Sequence, residues 1–153
     1  MLLHVVSGKD TLGDLDVEKK LYDMEMELKG LDESALNISK DLQLLEEVVD
    51  ALENDHEDKD EEKLHLVLQH DIENIRMSTN DLHTEVKMMI REFERVRNAM
   101  DKSRGDNEQM VLFIRELNTL DAKILRSRSK LSEIEKLLGK SKDRVAAVDL
   151  DVL

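Results

Sequence analysis

The sequence predicts an all-α fold, an elongated antiparallel three-helix bundle or coiled coil. Three observations carry this expectation. Apolar residues return at heptad spacing through most of the 153 residues, proline is absent, and two polar stretches (53–62 and 104–106) divide the pattern into three segments. The chain is 39% charged and only 2% aromatic, a balance that signals disorder unless the apolar 40% lines up along one side of a helix. It does line up.

The first segment is expected over 14–53, after a lead-in at 1–13. With Leu21 at heptad position a, the a sites are Leu21, Leu28, Ala35, Leu42 and Val49, and the d sites are Val17, Met24, Leu31, Ile38, Leu45 and Leu52. All are apolar, as a buried seam requires. Asp14 or Asp16 is suited to cap the start, and Gly30 falls at an outward site. Leu36, Leu44 and Val48 widen the stripe, which suits a helix with two neighbours.

Glu53 to Glu62 contains no apolar residue and is expected to turn, with Asp60 capping the next helix. Nothing there forbids helix, so the competing architecture is an extended dimer in which long helices run through 53–62 and pair between chains. The second segment, 61–103, has a sites His65, Ile72, Thr79, Val86, Phe93 and Met100 and d sites Leu68, Ile75, Leu82, Met89 and Val96. Gly105 is placed to end it in the left-handed conformation, and Asp106 with Gln109 forms a capping box for a third helix over 107–138. There the a sites are Met110, Leu117, Ile124, Leu131 and Leu138, and the d sites Phe113, Leu120, Ser127 and Ile134. Gly139 is expected to end this helix and 140–153 to form a frayed acidic tail. In helix count the pattern resembles the spectrin-like and syntaxin N-terminal three-helix bundles, a likeness of fold, without the aromatic core residues typical of spectrin repeats.

Net charge is −13 and unevenly spread: residues 1–60 hold 18 acidic and 6 basic side chains, residues 107–153 hold 8 and 9. Such a field repels phosphate backbones and anionic lipid, which argues against nucleic acid as a partner. In an up-down-up bundle, acidic e and g residues of helix 1 (Glu18, Glu25, Glu27, Asp32, Asp41, Glu46, Glu53) are expected to lie beside Lys123, Arg128 and Lys130 of helix 3. Met1 to Val6 lacks a basic flank and is too short for a secretory core or a membrane span. Without cysteine there is no disulfide, thiolate ligand or thiol nucleophile. A cytoplasmic setting fits, and a nuclear one equally.

Motifs that carry chemistry are weak. Glu53/His56 and Glu62/His65 share the Glu-x-x-His spacing of di-iron bundles, but both flank one turn and no a or d site is acidic. His65 and His70 lie five residues apart and so point to different faces. Read as a calcium loop from Asp55, the acidic stretch has Asp60 and Leu66 where glycine and glutamate are needed. Gly139-Lys140-Ser141 lacks the upstream glycine of a phosphate loop, and Arg104-Gly105-Asp106 is explained by helix capping.

The expectation is therefore a structural or adaptor coiled-coil module without enzymatic activity or cofactor, a scaffold for a cytoskeletal, trafficking or other large assembly. Its partners would be protein helices, heterologous or from a second copy in a homodimer, with no membrane insertion. The candidate interaction residues are Leu21, Leu28, Leu31, Ile38, Leu42, Leu45 and Leu52 on the first seam, and Leu66, Val67, Met88, Met89 and Ile90 on the second helix. A metal-binding, di-iron-like bundle and a pH- or calcium-responsive switch are the alternatives.

Overall fold

The computed structural model describes the backbone of residues 2–53 and 59–152 and the side chains of residues 16–52 and 62–147. Three helices pack against one another: α1 (Leu2–Glu53), α2 (Lys59–Lys102) and α3 (Asn107–Val152). The described residues contain no strand. At 1.5 Å per residue, α2 is a rod of about 65 Å.

Ion pairs between helices set the directions. Along α1, Glu18, Glu25 and Glu46 meet Arg104, Arg97 and Arg76, so α1 and α2 are antiparallel. Along α2, Asp71, Glu85 and Glu92 meet Arg144, Lys130 and Lys123, so α3 reverses again. Glu27 with Arg128 and Asp41 with Lys142 run α1 parallel to α3. This up-down-up order closes α1 onto α2 within one chain, in place of the extended pairing between chains. The polar turn itself, residues 54–58, lies outside the described residues. With α2 already helical at Lys59, Asp60 stands within the first turn and not at its cap.

Every apolar heptad site in α2 is buried, and in α1 only Val17, Leu21 and Leu52 are partly exposed, each still packed on the core. Four polar side chains share the buried heptad positions of the bundle: His65, Thr79, Ser127 and Ser141. Thr79 turns its hydroxyl back to donate to the Ile75 carbonyl at 2.6 Å, which removes the penalty of burying it. The seam is one continuous buried cluster because leucine, isoleucine and valine recur where three helices face one axis.

The helix ends differ from expectation at two further places. α1 begins at Leu2 and not after Gly13, so Asp14 and Asp16 lie inside it and not at its start. Without proline, Gly8 and Gly13 each weaken the helix by about 1 kcal/mol but leave it sterically allowed. α3 likewise passes through Gly139 to Val152, and 140–152 is helix where a frayed tail was expected. The heptad explains why: Gly139 is an outward residue, and the register continues through Ser141 and Val145, both buried. Gly105 does end α2, at φ 96°. Asp106 then caps α3 by accepting from the Gln109 N–H at 3.3 Å, while its own N–H donates to the Ser103 carbonyl at 3.0 Å. Only half of the capping box forms, because that second bond already occupies the Asp106 N–H.

Candidate interaction faces

Position e of α1 faces position e of α2, position g of α2 faces position g of α3, and g of α1 faces e of α3. The first edge joins acids of α1 to bases of α2: Glu25 accepts from Arg97 at 3.1 Å, Glu18 from Arg104 at 3.2 Å, and Glu46 pairs with Arg76. His83 lies 3.7 Å from Asp32 on the same edge. The Glu46 carboxylate raises the Arg76 pKa above its ordinary value, chiefly through its hydrogen bond. Arg97 also stands 5.8 Å over the Phe93 ring, so its guanidinium is held between a carboxylate and an aromatic face.

These pairs correct the expected charge pattern. Lys123 and Lys130 bind Glu92 and Glu85 of α2, at 3.4 and 2.7 Å, and not α1. Most acids of α1 pair with α2, while Arg128 alone of the three expected bases reaches α1, at Glu27. The Glu53 side chain lies outside the described residues. Each pair is half-exposed and adds at most about 1 kcal/mol, so the charges select neighbours more than they stabilise the fold.

The candidate interaction residues divide sharply. Leu28, Leu31, Ile38, Leu42, Leu45 and Met89 are buried in the core of the chain itself, and Leu21, Leu52 and Ile90 pack against it. Only Leu66, Val67 and Met88 stand outward, with Met88 63% exposed. Leu36, Leu44 and Val48 are also exposed, against the expectation that the second neighbour of α1 would cover them. By heptad position Leu36 lies on the outer α2 side of α1 and Leu44 on its outer α3 side, while Val48 is a g residue on the α3 edge that stays 40% exposed.

Between α2 and α3 lies a groove of about 470 Å3. It exists because Ser127 occupies a d site, where the d sites at Phe113, Leu120 and Ile134 carry large apolar side chains. Met89 and Ser127 form its floor and Met88 its lip. The Ser127 hydroxyl lies 3.5 Å from Glu85 and 4.0 Å from the Met89 sulfur. A second, smaller groove lies over Ser141, two heptads along the same edge, beside Leu137. Leu137 and Val145 were not singled out from the sequence. Continuing the heptad past Gly139 would have found Val145, and a serine at position d was the signal for each groove.

Among the described residues no three His, Asp or Glu side chains converge on a metal-sized site. The Glu53/His56 pair lies outside them. No described helix is long and apolar enough to cross a membrane. No family model, curated protein or solved structure matches the chain.

Proposed function

We propose that this chain is a docking and self-association module, a rigid helical rod that holds other polypeptides on its outer faces and performs no chemistry of its own. The carrying observation is the division of adjacent methionines on α2: Met89 is 4% exposed in the seam, while Met88 is 63% exposed at the lip of a groove. A flexible thioether beside an apolar hollow is a common means of taking up another protein's side chain. The interior supports the same reading from the other direction, since among the described residues its heptad sites are filled mostly by aliphatic side chains packed on one another. A rod about 65 Å long suits a spacer or scaffold in a cytoskeletal or trafficking assembly.

Cross-linking mass spectrometry tests this, on the isolated chain and in a cell extract, with Met88→Lys as the control. The reading expects cross-links from Lys87, Lys123 or Lys130 to a second polypeptide or a second copy, lost in the variant. Only intramolecular links in both settings, at concentrations where the fold is intact, would overturn it.

A further inference from the structure

The edge between α2 and α3 has a charge arrangement that names its occupant. Beside the groove, both acids, Glu85 and Glu92, are on α2, and the bases Lys123, Arg126 and Lys130 are on α3. Glu85 and Lys130 share one level of the rod, and Glu92 and Lys123 share another, because they pair at 2.7 and 3.4 Å. Each of these side chains keeps a third or more of its surface exposed and so retains capacity for a second partner.

We propose that a second copy of this chain docks here, through a two-fold axis parallel to the rod. That axis lays α2 of one copy along α3 of the other, antiparallel and at the same level. Glu85 and Glu92 then lie over Lys130 and Lys123 of the second copy, and the reverse pairs form at once, as an isologous interface requires. Met88 of each copy meets the hollow that Ser127 leaves in the other. A two-fold axis across the rod would set acid over acid and base over base, so the charges choose between the two geometries. Extent is sufficient: a stable interface needs about 800 Å2 per partner, which some 40 Å of a two-helix face supplies. This inference rests on the docking reading above and deepens it by naming the partner and the face.

Light scattering after size exclusion tests it on the full chain. The wild type should have twice the 17.7 kDa chain mass at high concentration and dissociate on dilution. Met88→Lys, at an exposed site, should weaken the dimer about tenfold or more while leaving the helical signal unchanged. Two charge variants make the geometry visible. Glu85→Lys with Glu92→Lys gives an all-basic edge, and Lys123→Glu with Lys130→Glu one that is acidic except for Arg126. Each should be monomeric alone, and an equimolar mixture should form a heterodimer. A wild type that stays monomeric throughout overturns the proposal, as does a dimer indifferent to Met88→Lys or a mixture that does not associate. A monomer that still cross-links to another polypeptide through Lys87 or Lys130 would overturn this inference alone and leave the docking reading standing.

Discussion

Gly30, Gly105 and Gly139 sit in two backbone environments, and alanine at each should give a result whose sign the backbone decides. Gly139 lies inside α3 with helical φ, and a Cβ added there meets nothing within 4 Å. Gly30 in α1 is the same. Replacing either by alanine removes backbone entropy from the unfolded chain and adds no clash, a gain of about 0.5–1 kcal/mol each. For a domain of this size that raises Tm by roughly 1–4 °C per substitution. Gly105 also has open space around it, but its φ is 96°. An L-residue forced into that region is strained by about 1–2 kcal/mol, so Gly105→Ala should lower Tm by roughly 2–8 °C. Thermal and urea unfolding followed by circular dichroism at the helix band measures all three. Had Gly139 ended its helix as a left-handed residue, Gly139→Ala would destabilise just as Gly105→Ala does. That outcome would refute the continuous α3.

Further predictions test the packing and the edges. Val145→Asp places a carboxylate at a buried site in the extension of α3, where the residue is 5% exposed, and should destabilise by about 2 kcal/mol or more, whereas in a frayed tail it would have no measurable effect on urea unfolding. Leu120→Ala, at a site with no exposed surface, should lower stability by about 2–5 kcal/mol and shift the urea midpoint without changing the slope. A double-mutant cycle on Glu46→Ala and Arg76→Ala should give a coupling of about 0.2–1 kcal/mol at low salt that fades in about 1 M salt, and a coupling unchanged by salt would contradict the exposed geometry. Thr79→Val should leave stability within about 1 kcal/mol of wild type, because its hydroxyl bonds only to the carbonyl of its own helix, at Ile75, and a larger loss in thermal unfolding would show that the hydroxyl holds another partner.

The seams were legible residue by residue. Each of the 28 apolar a and d positions in the sequence is buried or packed on the core, because a period near 3.5 residues belongs to a single helix and needs no knowledge of its neighbours. The α2–α3 turn was legible for a similar reason: Gly105 and Asp106 act within a few residues of backbone. The end of α3 does not fall at Gly139, because local propensity there yields to a heptad that continues through Ser141 and Val145. A glycine on the outer face weakens a helix slightly, while further core layers hold it in place.

What only the tertiary structure decided is which neighbour each edge meets. Glu25 and Glu27 stand two residues apart in sequence, yet one pairs with Arg97 of α2 and the other with Arg128 of α3. A heptad marks the inward face of a helix but does not say whether the next helix lies to its left or right. That choice is made between helices, and with it go the pairing of Lys123 and Lys130 with α2, the outward position of Leu36, Leu44 and Met88, and the hollow over Ser127.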